Sequence, residues 1–423
     1  MNKKFSGYSV AVGTIIYLFF AWGIINVTSV AFAVFPDYFH ASLTQISLGV
    51  TIYCVACFIL SFFAGEYQKR VGPKTAMVIG SLSMAAFCFI IAFTPSIMGF
   101  YLAQLVVAFA GSTSMHACCT LVISNWFVKQ RARLISICMA AALFGASAFQ
   151  FVAGKVFTDV GVSRLYLYFG IVELIVLLFC SVFLVKSSPE SVGQKPLGWE
   201  ETKSAAEASS ADNASQQKTS GVSIYKNPVF WIMLFGFTFS MLCAAAINSY
   251  TTTVLPTHGF SLSSASMFLS ILTLAGGLIT FFVGFVLEKF SLRSVIIVVG
   301  IGAIASNVLM AIWVNSPSIG LLIGSAIAFA VGYPFMTLSN VIAEPVFGDQ
   351  AYLANPKLIA FANGGYSVIF PLLGYIATKY GFSTVYFVNA AICLLVIIPF
   401  LIALSIAKKK IPQKRKILQG KKY

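Results

Sequence analysis

Acidic side chains are scarce in this sequence. Asp and Glu number 12 against 27 Lys and Arg, and charged residues of both signs make up only 9% of the 423 residues. Soluble domains carry about 25%. A chain that is 59% hydrophobic cannot hide its apolar surface in a water-soluble globule, because any globule leaves part of its chain facing solvent. The solvent here must itself be apolar, so the chain belongs in a bilayer. Histidine occurs three times. There is no His-Glu-x-x-His pattern, no Gly-x-x-x-x-Gly-Lys-Ser/Thr phosphate loop and no close pair of acids inside an apolar run. Those absences argue against an enzyme and leave solute or ion gradients as the energy source. No metal and no cofactor is expected.

The nine cysteines all lie within apolar runs, none at metal-ligand spacing from a histidine. They read as small hydrophobes in helices. Basic residues are the charge that is present, giving a net +15. They gather in the tail from Lys408 to Lys422 and in short segments between apolar runs, with no basic stripe interleaved with stacking aromatics. That pattern is a topology signal with affinity for anionic headgroups and excludes a nucleic-acid partner.

A helix needs about 20 apolar residues to span a bilayer. Breaks at charged or Pro/Gly/Asp clusters give spans at 8–34, 44–64, 75–93, 97–124, 132–157, 165–185, 227–254, 262–287, 294–312, 317–345, 357–378 and 383–407. The reading is an all-α membrane protein of twelve transmembrane helices. With the N-terminus cytoplasmic, every basic residue except Lys155, Arg164 and Lys379 falls on the cytoplasmic side. The positive-inside bias therefore predicts two cytoplasmic termini in a cell's inner (plasma) membrane.

Residues 187–226 change character, with Ser, Ala, Gln and charge replacing apolar runs. Such a segment buries too little to offset its ordering entropy. The expected organisation is a six-helix bundle over 1–186, a flexible cytoplasmic linker over 187–226, a second six-helix bundle over 227–407 and a basic tail over 408–423. The two bundles repeat at an offset of about 220 residues: Pro36 with Pro256, Gly65 with Gly284, Ala108-Phe109-Ala110 with Ala328-Phe329-Ala330, Phe127 with Phe347, Gly145 with Gly365, Gly154 with Gly374, Gly161 with Gly381 and Tyr166 with Tyr386. Pseudo-symmetric halves with a central cavity are the architecture of alternating access.

Gly65-Glu66-Tyr67-Gln68-Lys69-Arg70-Val71-Gly72-Pro73-Lys74 resembles the loop signature of the major facilitator superfamily. A second copy runs from Gly284 through Glu288, Lys289 and Arg293. In the first copy Lys69 stands where the family usually has Asp. Trp126-Phe127-Val128-Lys129-Gln130-Arg131-Ala132-Arg133, Ser188-Pro189-Glu190-Ser191-Val192-Gly193 with Pro196-Leu197-Gly198, and Tyr225-Lys226-Asn227-Pro228-Val229-Phe230-Trp231 resemble stretches of its monocarboxylate and oxalate–formate porter branch. The resemblance implies a secondary carrier for a small organic anion, working by proton symport or anion exchange. It also implies a basic residue in the eighth helix, yet Met267 to Leu287 contains no charge. The alternative is a carrier or exporter of a neutral or amphipathic metabolite or drug.

Solute-lining positions in that family come mainly from the first and fourth helices of each half, helped by the second and fifth. Here this directs attention to Trp22 and Asn26, Thr113 and His116, Gln150, Asn248 and Tyr250, Tyr333, Asn363 and Tyr366. His116 stands out as the one histidine inside a predicted span, able to donate to a carboxylate or to titrate near neutrality. Helix–helix hydrogen bonding is the competing role for each of these groups. Charge inside a bilayer points to function by default. Lys155 sits four residues before Asp159, so a helical pair is available, or the lysine stem reaches the interface. Glu173, inside the sixth span, is read as a proton-coupling acid or as a neutral structural one. The expected partners are a small solute, protons and lipid, and the chain is expected to be a monomer.

Overall fold

The structure, a computed structural model, describes residues 5–127, 131–197, 225, 227–335, 338, 341–342, 346–347 and 351–419. Among them the chain folds into α-helices in chain order, with no strand longer than one isolated bridge. α1 is Gly7–Ala31, α2 Leu43–Val71 and α3 Pro73–Phe93. α4 starts at Ile97–Ala110, passes through one π-helical turn at Gly111–Met115 and continues as His116–Trp126. Arg131–Phe179 is a single hydrogen-bonded run kinked at Gly161, which separates α5 (131–160) from α6 (162–179). α7 is Pro228–Ser240, a 3₁₀ turn at Met241–Ala244, then Ala245–Val254. α8 is Leu262–Lys289, α9 Leu292–Asn315, α10 Ile319–Gly332, α11 Ala351–Tyr380 and α12 Phe382–Gln419.

The twelve long helices among the described residues follow from the chain's own punctuation. α4, α9 and α10 each open on a serine whose hydroxyl takes the amide three residues on: Ser96 with Gly99, Ser291 with Ser294 and Ser318 with Leu321. α7 opens on Asn227, which accepts from Val229, with Pro228 at the first helical position where its missing N–H is harmless. The reversal between α5 and α6 requires a left-handed residue, and Gly161 supplies it at φ 78°; Gly381 does the same between α11 and α12 at φ 83°.

The helices gather into two compact units. One contains α1, α3–α6, the later part of α2 and the first residues of α8 (Leu262–Ser270). The other contains Ser42–Val55 from α2, α7, the rest of α8 and α9–α12. Inside each unit the same contacts recur about 220 residues apart, so the sequence repeat is a structural one. Ser163 donates to the Ala92 carbonyl at 2.7 Å, and Ser383 to the Ala311 carbonyl at 3.0 Å. Gly145 lies directly against the Phe19 carbonyl of α1, and Gly365 against the Thr238 carbonyl of α7. Gly154 receives Ser266, and Gly374 receives Ser47.

Each unit also contains an irregular turn whose carbonyl is met by an amide side chain. In the first, Gln68 Nε2 donates to the Thr113 carbonyl inside the π turn of α4, at 2.8 Å. In the second, the Cys243 carbonyl in the 3₁₀ turn of α7 accepts from Asn307 Nδ2 (3.4 Å) and Asn389 Nδ2 (3.5 Å), while Asn389 also donates to Asn307 Oδ1 at 2.9 Å. Lipid provides no donors, so backbone released from the helical ladder must find them in side chains. Asn307→Ala removes the centre of this buried network. It is expected to cost about 1 kcal/mol, seen as a fall in the melting temperature of detergent-purified protein, with Val298→Ala, at an exposed position of α9, as the control.

Within the segment read as a linker, residues 188–197 dock onto the first unit. Leu197 N donates to the Trp126 carbonyl at 2.9 Å, Trp126 Nε1 to the Lys186 carbonyl at 3.0 Å, and Ser6 N to Gln194 Oε1 at 2.9 Å. A 3₁₀ turn over Glu190–Val192 closes on Gly193, and a hydrogen bond from Ser188 holds the Glu190 carboxyl below the usual carboxylate range. Most of residues 198–226 lie outside the described residues. The final helix runs on through 408–419.

Candidate solute site

In the first unit Asn26 and Trp22 are both half-buried on α1, and Asn26 Nδ2 donates to the Trp22 carbonyl one turn back at 2.9 Å. Thr113 is buried; its hydroxyl is spent on the Phe109 carbonyl at 2.6 Å and its own carbonyl on Gln68. It builds the π turn. Gln150 is buried and has an interaction partner. The side chains of His116 and Asn363 lie outside the described residues.

The charged candidates separate clearly. Lys155 is exposed and places its ammonium 4.6 Å from the centre of the Phe151 ring. The available partner Asp159 is not used; its carboxylate accepts from Thr158 at 3.3 Å. Glu66–Arg70 at 3.0 Å is the ion pair among the described residues, and both members are well exposed, so it contributes under about 1 kcal/mol. It occupies the loop motif, where Lys69 and Arg70 are exposed and Gly72 turns at φ 84°. In the second copy Lys289 is exposed and Arg293 donates to Ser405 at 3.1 Å; Gly65, Gly284 and Glu288 lie outside the residues whose surroundings are described.

Glu173 is the opposite case. It is fully buried in α6, and neither carboxyl oxygen has a hydrogen-bond partner among the described residues. One turn earlier, Gly170 packs on Phe89 and Cys88 of α3, and the Cys88 thiol lies within electrostatic range of the acid. At the repeat-related position Cys393 donates to the Cys243 carbonyl. The same helix seam is satisfied in one unit and holds an orphaned acid in the other.

In the second unit Asn248, Tyr333 and Tyr366 are half-buried, and the Tyr333 ring packs on Gly276 of α8. Tyr250 is fully buried, 3.4 Å from the Ser47 hydroxyl. Tyr250 and Tyr366 are brought together by Phe370, which stacks on both. Phe370, Ser47 and Gly276 were not among the candidates. Phe370 follows Tyr366 by four residues on one helix face, a signal that a search for polar groups alone passes over.

Residues 14–351 match the family described as the Major Facilitator Superfamily. An uncharacterized MFS-type transporter, YcxA of Bacillus subtilis (strain 168), is 26% identical over 156 residues, 37% of this chain and 38% of the relative. The chain thus spans well under half of that relative's length. Among solved structures, a D-xylose-proton symporter aligns over 93% of this chain and 97% of its own, with TM-score 0.71 and 15% identity. A nucleoside transporter, NupG, aligns over 95% and 99%, with TM-score 0.71 and 17% identity. A bacterial homolog of the human lysosomal transporter Spinster aligns over 97% and 99%, with TM-score 0.68 and 15% identity. At these identities the structures establish the fold. With a family match over most of its length, this multi-pass membrane protein belongs to the Major Facilitator Superfamily and is a transporter, not an enzyme.

Proposed function

We propose that the protein is a secondary carrier moving a small organic anion of the monocarboxylate kind across the plasma membrane by alternating access, through proton symport or anion exchange. The observation that carries the anion assignment is the clasp that Trp126 forms with Lys186 and Leu197. Two of the three stretches whose sequences resemble the monocarboxylate and oxalate–formate porters are hydrogen-bonded to each other, Leu197 N to the Trp126 carbonyl. Trp22, Asn26, Asn248, Tyr333 and Tyr366 are half-buried and are the proposed solute contacts. All are uncharged, so a carboxylate would be met by neutral donors. Glu173 is the proposed coupling group. The termini are placed in the cytoplasm by the distribution of basic residues, and a monomer is the proposed working form.

A second reading has its own support. The span from Met267 to Leu287 lacks any charge, and two of the structural neighbours are named for a sugar and a nucleoside; a neutral solute fits both facts. Counterflow in proteoliposomes separates the two readings. Preloaded lactate, acetate or benzoate is expected to drive uptake of its labelled form, whereas xylose and uridine are not. Counterflow with the neutral compounds alone overturns the anion assignment and leaves the carrier intact.

A further inference from the structure

Three aromatic rings in the second unit form a parallel stack. Tyr366 lies 4.8 Å from Phe370 with planes 13° apart, and Phe370 lies 5.9 Å from Tyr250 with planes 6° apart. The inner two rings are completely buried, and Phe382 backs Tyr250 at 5.8 Å. The Tyr250 hydroxyl meets Ser47 at 3.4 Å. Phe370 and Tyr250 are therefore each held between two rings. Tyr366 ends the stack: it is half-buried, and Phe370 is the only ring in contact with it among the described residues.

We infer that the face of Tyr366 turned away from Phe370 is a specificity element that accepts a planar conjugated ring. The inference rests on the anion reading above and narrows it to aromatic or conjugated carboxylates. Aromatic rings favour offset-parallel contact beyond their simple area burial. A rigid, pre-aligned platform offers that contact without an ordering penalty on the protein side. A saturated ring of the same size gains the burial and loses the stacking. A bare cation would also seek a ring face, but cages for cations surround the charge with several faces, and this stack presents one.

The test compares benzoate with cyclohexanecarboxylate, which share carbon count and charge and differ in planarity. Dissociation constants for detergent-purified protein come from thermal-shift titration and from competition in counterflow. Wild-type protein is expected to prefer benzoate by about three- to tenfold. Tyr366→Leu is expected to bring the ratio near one, and Tyr366→Phe to keep it. A wild-type ratio of one overturns the inference without any variant, as does a ratio that survives Tyr366→Leu. Benzyl alcohol against cyclohexylmethanol separates the two layers of the argument. If neither acid binds but the alcohols show the same preference and Tyr366→Leu removes it, the ring platform stands and the anion reading falls.

Discussion

Gly145→Leu is expected to abolish accumulation of folded protein, and Gly145→Ala to lower its melting temperature by many degrees. The reason is the partner. A β-carbon at this position would run into the Phe19 carbonyl oxygen, with the Phe19 Cα and carbonyl carbon just behind it. A flexible side chain can turn away from such a contact; the backbone of a packed helix cannot. Relief requires α1 and α5 to separate along the crossing that holds the first unit together. Overpacking a well-filled site costs about 1–3 kcal/mol when side chains can adjust, and here the obstacle is main chain. Gly365 stands in the same relation to the Thr238 carbonyl, so Gly365→Leu should fail equally. Gly161→Ala is the calibrating comparison. Nothing lies within 4 Å of its would-be β-carbon, but its φ is 78°, so the change carries only left-handed strain of about 1–2 kcal/mol. Fluorescence-detected gel filtration and melting curves in detergent report all four variants. A Gly145→Leu protein that accumulates and melts like Gly161→Ala would show that the crossing is looser than the structure has it.

Much of this architecture was legible in the residues because the forces that make a membrane helix are local. Each span follows from a run of apolar side chains long enough to cross lipid, and the breaks fall at Gly72, Gly161, Gly381 and the capping serines, where chain chemistry alone dictates a turn. The repeat was legible for a related reason. Gly145 and Gly365 match in sequence because each lies against a helix backbone, and the carbonyls they face are spaced as they are. What was not legible depends on competition between partners at equal sequence distance. Lys155 has Asp159 four residues on and Phe151 four residues back, and spacing alone does not choose between them. The structure places the ammonium over the ring. Thr113 looked like a solute contact because it is polar and on the fourth helix. It is instead absorbed by the π turn, an inserted residue that periodicity does not reveal. The exchange that places Leu262–Ser270 with the first unit and Ser42–Val55 with the second depends on Gly154 receiving Ser266 and Gly374 receiving Ser47. Those contacts join residues more than a hundred positions apart.

Glu173→Gln is expected to separate solute exchange from proton-driven accumulation. The carboxyl is fully buried, and neither oxygen has a hydrogen-bond partner among the described residues. Among the described residues no cation is paired with it, and the Cys88 thiol, the Phe89 ring and Gly170 lie nearby. Taking an unpaired ion out of water costs several kcal/mol even after the surroundings relax, so this conformation is compatible with the acid form and strongly opposed to the carboxylate. If α6 and α3 shift during the transport cycle so that water reaches the group, the proton can leave on one side of the membrane and be replaced on the other. Glutamine copies the neutral acid in size and cannot release a proton. The variant should therefore fold, bind and exchange labelled solute for unlabelled at close to the wild-type rate. Net uptake driven by an acidic exterior should fall by at least tenfold, and the alkalinisation that accompanies wild-type uptake should vanish with it. Infrared difference spectra supply an independent signature: a carboxylic acid carbonyl band present in wild-type protein and missing in Glu173→Gln. Full proton-driven accumulation by the glutamine variant would remove Glu173 from the coupling mechanism. Its orphaned oxygens would then be a packing feature of the α3–α6 seam, and the proton would have to be carried elsewhere, with His116 the next group to replace.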